Sequence, residues 1–157
     1  MNIKFRQATI KDIEIISDMV VELTNEISEL TQSQPFDINR QNTIDCCESL
    51  IRDGHYFAII GEVENKPIAV ATMTQTYALY AGGKLGSIQE IYISPQYRSF
   101  GFGALLIKQV QTFATQQKWN CIELCTPPLP EFERTLSFYQ KNGLTPVGGR
   151  KMRQTIV

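Results

Sequence analysis

The sequence predicts an α/β fold: a mixed, mostly antiparallel sheet with helices on both faces. Three observations lead there. Runs rich in β-branched and aromatic residues are joined by short turns between residues 55 and 93. Apolar residues recur at helical spacing on either side of that region, around Ile16 and around Val110. Strand, turn, helix and strand then follow one another from Ser87 through "CIELCT". That is a βαβ unit, which requires two parallel strands and a right-handed crossover.

The elements follow in order. "NIKFRQA" reads as a short strand. Thr9 caps the next helix, and Asp12, three residues on, completes a capping box. Ile13, Ile16, Val20, Leu23 and Ile27 share one helical face, and "TQSQPFD" breaks the helix. A second helix runs from Asn39 to Arg52 and stops at Gly54. "HYFAIIGEVE" and "KPIAVATMTQTYALY", with "ENKP" between them, form an antiparallel hairpin, and "AGGK" is the next turn. "LGSIQEIYIS" reads as a central strand ending at Pro95, and helical spacing returns from Gly101 to Lys118. "CIELCT" is the following strand, and "PEFERTLSFYQKN" a helix stopped by Gly143. "LTPVGG" and "RKMRQTIV" read as two closing strands, giving the order β, α, α, β, β, β, α, β, α, β, β.

With 157 residues the chain has the length of one domain, taken as residues 1–157. That length supports a core without disulfides or metals. Hydrophobic residues make up 43% and charged residues 20%, as in ordinary globular proteins. A net charge of −1 gives no bulk attraction for nucleic acid or an anionic membrane. No apolar run reaches the ~18 residues of a membrane span. "MNIKFRQATIKD" lacks the pattern of a secretion signal, so a cytoplasmic location is expected. Cys46 and Cys47 are adjacent, a strained geometry for a bridge, and Cys121 and Cys125 share a face if their segment is a strand. No Cys-x-x-Cys is present and the single histidine, His55, is far off in sequence. Reduced thiols and no metal are expected.

The chemistry concentrates in "SPQYRSFGFGALLIKQV". Glycine is a poor helix former, yet Gly101 and Gly103 open a helical stretch. A helix N-terminus leaves N–H groups unpaired and carries partial positive charge, so it suits phosphate. Gly101 and Gly103 keep side chains out of the way, and Arg98 adds a charge able to pair with a phosphate oxygen. "RSFGFG" therefore reads as a pyrophosphate cradle. Neither the Walker spacing nor the dinucleotide fingerprint is present.

"IQEIYISPQYRSFGFGALLIKQV" resembles motif A of the GNAT family of N-acetyltransferases, whose core is Gln/Arg-x-x-Gly-x-Gly/Ala after a strand. "LSFYQKNGLTPVG" resembles their second signature, Phe-Tyr on a helix followed by Lys, Gly and an apolar residue. The element order is similar to the family fold over nearly the whole chain. The resemblance implies a GNAT-type fold, acetyl-CoA as co-substrate, and direct attack by an amine in a ternary complex. It implies that backbone N–H groups around Arg98, Ser99, Phe100, Gly101, Phe102, Gly103 and Ala104 hold the pyrophosphate. Ile91, Tyr92 and Ile93 would then offer backbone groups to the pantetheine arm. It suggests Tyr139 as proton donor to the leaving sulfur, since a phenol with a pKa near ~10 is protonated at neutral pH. Glu90, the one carboxylate in "SIQEIYI", is the candidate base, directly or through water, because a carboxylate among apolar residues is costly unless paired or used. Gln89 is a candidate helper. The sequence departs from the family at Phe132, where many members carry an asparagine that contacts the cofactor arm, and at Thr135, where alanine is common.

The acceptor region implied by the resemblance is roughly Ile27 to Arg40 and Tyr77 to Lys84. Glu22, Glu26 and Glu29 form an acidic stripe that reads first as a solvated helix face. The stretch from Tyr77 is also loosely similar to diamine and polyamine acetyltransferases, with Gln89-Glu90 in place of their acidic pair. Tyr77 and Tyr80 are candidates for an aromatic pocket wall. A small-molecule primary amine is the expected acceptor. A non-catalytic acyl-CoA sensor and a protein or peptide N-acetyltransferase are the alternatives. Dimers are common in the family, and the sequence leaves the oligomeric state open.

Overall fold

Strand pairing follows from where the turns fall. Glu64 and Asn65 adopt positive φ, 51° and 64°, in the two-residue turn that matches strand twist. They join β2 (Phe57–Val63) to β3 (Lys66–Ala78) in antiparallel register. The computed structural model describes residues 1–33 and 38–156. It forms two units, Met1–Leu124 and Cys125–Val157.

In the first unit, β1 (Ile3–Gln7) pairs with β2, and β4 (Gly83–Ile93) with β3, both antiparallel. β5 (Ile122–Glu123) adds to β4 in parallel, so the sheet order is β1-β2-β3-β4-β5. The helices α1 (Ile13–Thr31) and α2 (Arg40–Arg52) cover one face, and α3 (Phe102–Gln116) the other. Side chains alternate along a strand, and "AII" in β2 shows the consequence. Ala58 and Ile60 pack with Ile13, Ile16 and Met19, while Ile59 packs with Phe102, Leu106 and Val110. A strand buried on both faces needs apolar residues at consecutive positions, as β2 and β3 have.

The start of α1 is fixed by Asp12. Its carboxylate accepts the Thr9 N–H at 2.8 Å, which closes the expected capping box, and takes the two-pronged Arg6 guanidinium at 2.8 Å per contact. This fork holds the Asp12 carboxyl below its ordinary pKa, against the opposing effect of burial. The second helix begins at Arg40 behind the Asn39 cap. Residues 34–37, part of the predicted breaker "TQSQPFD", lie outside the described residues.

β4 is interior to the sheet, as expected, between β3 and the short edge strand β5. The strand expected over "CIELCT" shrinks to Ile122–Glu123, so Cys121 and Cys125 fall outside it. β4 pairs with β5 only at Gly86 and Ser87. Just beyond, Thr72 opposes Glu90 while Met73 opposes Ile88, so Gln89 is an extra residue that bulges and bends β4. The sequence after Cys125 then supplies Pro127 and Pro128, which cannot continue a ladder.

In the second unit, α4 (Glu133–Lys141) closes at Gly143, which takes φ 94°. Leu144 N donates to Tyr139 O at 3.0 Å and Gly143 N to Gln140 O at 3.3 Å, the paired hydrogen bonds of a glycine-terminated helix. The two closing strands predicted from "LTPVGG" and "RKMRQTIV" are absent among the described residues. Pro146 lacks a donor, Gly148 and Gly149 both turn the chain at φ 87°, and residues 145–156 are exposed throughout. Isolated β-branched residues at Thr155 and Ile156 do not make a strand without a buried face.

Gly86 is where β4 passes beneath Trp119: a Cβ there would lie 2.1 Å from the indole ring. That ring packs edge-on against Phe113 and donates from Nε1 to Gln75 at 2.9 Å, so it has no room to retreat. Gly86→Ala is expected to destabilise the fold by about 3 kcal/mol. Urea denaturation checks this, and an unchanged midpoint would show that the indole moves freely.

Candidate active site

β4 presents three kinds of group at once. Ser94 N donates to Ile68 O at 2.8 Å, which sets the alternation of the β3–β4 ladder. By that alternation the Tyr92 backbone also faces β3, whereas Ile91 and Ile93 direct N–H and C=O to the other edge. That edge is open, since β5 stops pairing at Ser87. Of the three strand residues expected to offer backbone groups to a ligand, Ile91 and Ile93 face the open edge and Tyr92 does not. The Ile93 carbonyl already accepts Arg98 Nε at 2.8 Å.

Glu90 points to the α1/α2 side. Tyr56 Oη lies 3.1 Å from each of its carboxylate oxygens, and Thr72 Oγ1 donates to Oε2. Thr72 Oγ1 in turn accepts the Glu90 N–H at 3.0 Å. Burial pushes the Glu90 carboxyl above its ordinary pKa, and the two hydroxyl donors pull it partly back. Burial and the facing carboxylate push the Tyr56 phenol up as well, so Tyr56 stays a donor. Glu90 and Tyr56 lie at the wall of a cavity of about 290 Å³ between α1 and α2. Gln89 turns elsewhere: its amide donates to Thr74 Oγ1 at 3.0 Å and Ser87 Oγ at 3.3 Å.

Beyond β4 the chain turns through Ser99 at φ 70° and enters α3 at Gly101, which has φ 80° and ψ 5°. Gly101 is the N-cap, and no side chain caps the helix. The first-turn N–H groups of Phe102, Gly103 and Ala104 therefore lack intrahelical acceptors. A left-handed residue followed by right-handed ones gathers successive N–H groups into a concavity suited to an anion. A side chain at Gly101 would meet no atom within 4 Å, so glycine is required there by backbone conformation, not by space. Phe100 is exposed and stacks on buried Phe102 at 5.9 Å.

The Arg98 side chain does not face this concavity as a free charge. Its fork holds Glu26 at 2.9 Å per contact, and the guanidinium lies 5.4 Å from the Tyr92 ring centre. Tyr92 Oη donates to Glu22 at 2.5 Å. Two members of the expected acidic stripe are thus engaged, and Glu29 remains exposed.

In the second unit, Tyr139 sits on α4, buried, its ring 5.2 Å from that of Phe138. Its hydroxyl makes no hydrogen bond among the described residues, and burial pushes the phenol up to about 12. Phe132 is the N-cap of the same helix and provides no side-chain cap.

The predicted acceptor region is only partly met. Ile38 lines the cavity, but Tyr77 and Tyr80 are 68% and 77% exposed, too open to wall a pocket. They bond instead to Gln75 and Glu123, each at 2.8 Å. The middle of the stretch from Ile27 to Arg40, residues 34–37, is outside the described residues. Tyr56, Thr72 and Ser17 were missed in the sequence. Thr72 was within reach, since the hairpin register places it opposite Glu90; Tyr56 and Ser17 have no local signal. All four cysteines are free, and only Cys47 is buried. Among the described residues no group of three or more His, Cys, Asp or Glu is placed to hold a metal ion, and no helix is long and apolar enough to cross a membrane.

Comparison with known proteins gives the same picture. The model of the acetyltransferase (GNAT) family matches residues 18–144. No curated protein matches the chain. Among solved structures, a GCN5-related N-acetyltransferase from Ralstonia eutropha JMP134 is similar with a TM-score of 0.76 at 19% identity, covering 99% of each chain. A predicted acetyltransferase with acetyl-CoA from Clostridium acetobutylicum gives 0.74 at 16% identity, covering 98% of this chain and 96% of the other. An aminoglycoside acetyltransferase from an uncultured soil metagenomic sample, in complex with sisomicin, gives 0.71 at 14% identity, covering 99% and 95%. At these identities the structures establish a shared fold, and the family model carries the assignment across most of the chain. The chain belongs to the acetyltransferase (GNAT) family and is an N-acetyltransferase.

Proposed function

We propose that residues 1–157 act as one N-acetyltransferase domain, cytoplasmic, moving an acetyl group from acetyl-CoA to the primary amine of a small molecule by direct attack in a ternary complex. The observation that carries this is Glu90: a half-buried carboxylate, facing a cavity and held by two hydroxyls, with no cation beside it among the described residues. It shares β4 with an open backbone edge, and the strand leads to an uncapped helix start. The donor set fits acetyl-CoA. N–H groups of Phe102, Gly103 and Ala104, with the loop from Arg98 through Gly101, suit a pyrophosphate. Ile91 and Ile93 suit an amide-bearing arm laid along a strand edge. When bound, acetyl-CoA supplies an acyl group activated as a thioester.

The chain's own residues then handle protons. Glu90 accepts a proton from the attacking amine, directly or through water. Tyr56 and Thr72 hold the carboxylate in place as it cycles. The amine nitrogen bonds to the acetyl carbon as the carbon–sulfur bond breaks, and the Tyr139 hydroxyl gives its proton to the departing sulfur. A phenol pushed up to about 12 is fully protonated at neutral pH, as a donor must be. Among the described residues the hydroxyl makes no hydrogen bond that would hold its proton back.

The reading is tested by thiol release from acetyl-CoA across a panel of amines. Tight acetyl-CoA binding with no release on any amine would favour an acyl-CoA sensor. Tyr139→Phe is expected to lower kcat by roughly 10²-fold with little change in acetyl-CoA affinity; an unaltered kcat removes Tyr139 from the chemistry.

Glu90→Gln should lower kcat/KM by roughly 10²-fold at neutral pH. As the base works ionised and its pKa is raised, wild-type kcat/KM should fall through an acid limb set above the ordinary ~4.3 of a glutamate. That limb should vanish in Glu90→Gln, while the limb from the amine itself remains. The stability sign is opposite: a carboxyl with a raised folded pKa stabilises while protonated and loses that contribution as pH rises through the folded value. Glu90→Gln should therefore melt no lower than wild type at pH 7, and a large drop in Tm would make Glu90 structural.

At Gly101, any other residue must hold a left-handed backbone, at a cost of about 1–2 kcal/mol. Gly101→Val is expected to weaken CoA binding by at least about tenfold through loss of that turn. Calorimetric affinity equal to wild type would remove the helix start from the binding site.

A further inference from the structure

The turn from β4 into α3 has an unfavourable backbone that needs an anchor. Ser99 sits at φ 70°, a region that residues with a side chain avoid, and Gly101 follows at φ 80°. Such backbone persists only where its surroundings over-determine it. The tied residue is Arg98. Its Nε donates to Ile93 O at 2.8 Å, which closes the turn Pro95–Tyr97 back onto the end of β4. Its Nη1 and Nη2 donate to Glu26 Oε1 and Oε2 at 2.9 Å each. The guanidinium lies 5.4 Å from the Tyr92 ring centre, and Tyr92 Oη is fixed in turn on Glu22. Most surface ion pairs contribute little, and bidentate or networked pairs are the exception. This pair is both, with its side chains only 39% and 34% exposed. One planar group reaches three acceptor atoms at once, which the point charge of a lysine cannot do.

Resting on the acetyl-CoA reading above, we infer that Glu26 is a positioning residue for the co-substrate: it clamps Arg98, so that the strained turn presents the N–H groups at the start of α3. Arg98 then gives the pyrophosphate geometry, not charge. The opposite use of Arg98, as a cation that leaves Glu26 for a phosphate oxygen, predicts an effect of opposite sign. Removing the Glu26 charge would then free the cation and take away a nearby anion, and CoA would bind more tightly. If Glu26 is the clamp, the same change loosens the turn and CoA binds more weakly.

Calorimetry of CoA with the full chain decides between them. Glu26→Gln keeps the side-chain size and loses the fork, and it should raise the CoA Kd by about tenfold, the ratio one charge-assisted hydrogen bond supplies. Arg98→Lys keeps the charge and should lose about as much. Glu29→Gln makes the same charge change at an exposed position of the same helix and should leave the Kd as in wild type. In turnover, Glu26→Gln should raise the KM for acetyl-CoA with far less change in kcat. A second readout needs no ligand. Trypsin should cut after Arg98 several-fold faster in Glu26→Gln, with cleavage after Lys108, in the body of α3, unchanged. Acceleration at both sites would make Glu26 a general fold contact and overturn the inference. So would an equal or tighter CoA Kd in Glu26→Gln, a wild-type Kd in Arg98→Lys, or an equal loss in Glu29→Gln, and each leaves the acetyl-transfer reading standing. CoA binding with no transfer to any amine removes the acetyl-transfer reading, and the tenfold loss in Glu26→Gln would still support the clamp. Absence of CoA binding by the wild-type chain overturns both.

Discussion

The interrupted pairing of β4 is the constraint on which the site depends. β4 is laddered to β3 along its length but to β5 at only two positions, Gly86 and Ser87. Trp119 packs over the first of these, and the extra residue Gln89 bends the strand just past the second. Backbone groups in a folded chain require partners. Beyond Ser87 the outer edge of β4 can get them only from water, a side chain or a ligand. Arg98 takes one, the Ile93 carbonyl. The same bulge falls beside Glu90, so the feature that opens the strand edge also marks the position of the carboxylate.

Asp12 is buried and Glu90 half-buried, and the two carboxylates are held in opposite ways. Asp12 is bound by the Arg6 fork and capped by a backbone N–H, and its pKa is lowered. The fork favours its ionised form. Glu90 has only hydroxyl donors, and its pKa is raised. Hydrogen bonds to a charged group contribute about 1.5–3 kcal/mol each. Removing a carboxylate from water costs several kcal/mol in proteins. Two hydroxyls therefore offset part of the cost but leave proton uptake within easy reach. A cation in place of Tyr56 would stabilise the ionised form and hold the Glu90 carboxyl down, as Arg6 does for Asp12.

Much of this was legible in the sequence because local rules and burial agreed. Thr9-x-x-Asp12 gave the start of α1, Glu64-Asn65 the hairpin turn, and Gly143 the end of α4. Glu90 stood out as a charge in an apolar run. What escaped notice depended on chain topology. The partners of Glu90 come from Tyr56 and Thr72, 34 and 18 residues away in sequence. Arg98 read as a free cation because its acceptor, Glu26, is 72 residues distant. The final segment read as two strands because β-branched residues at Thr155 and Ile156 resemble a strand locally. Extended pairing depends on a template and a buried face, which residues 145–156 do not have in this structure.

The contacts of α1 complete the argument. Its beginning is fixed to β1 through Asp12 and Arg6, and its later turns are tied by Glu22 to Tyr92 and by Glu26 to Arg98. Between these ties lie Ile16, Ser17 and Val20, which wall the cavity. The wall thus has a fixed position relative to β4 and to the loop that starts α3. Each tie is a charge-assisted hydrogen bond, shorter and more directional than a neutral one. The Glu22 and Glu26 ties lie on the α1 surface that the sequence had marked only as an acidic stripe. Charges that looked like a solvated face hold the cavity wall and the loop that starts α3 in one register, and a carboxylate two turns from the cavity can shape its wall without lining it.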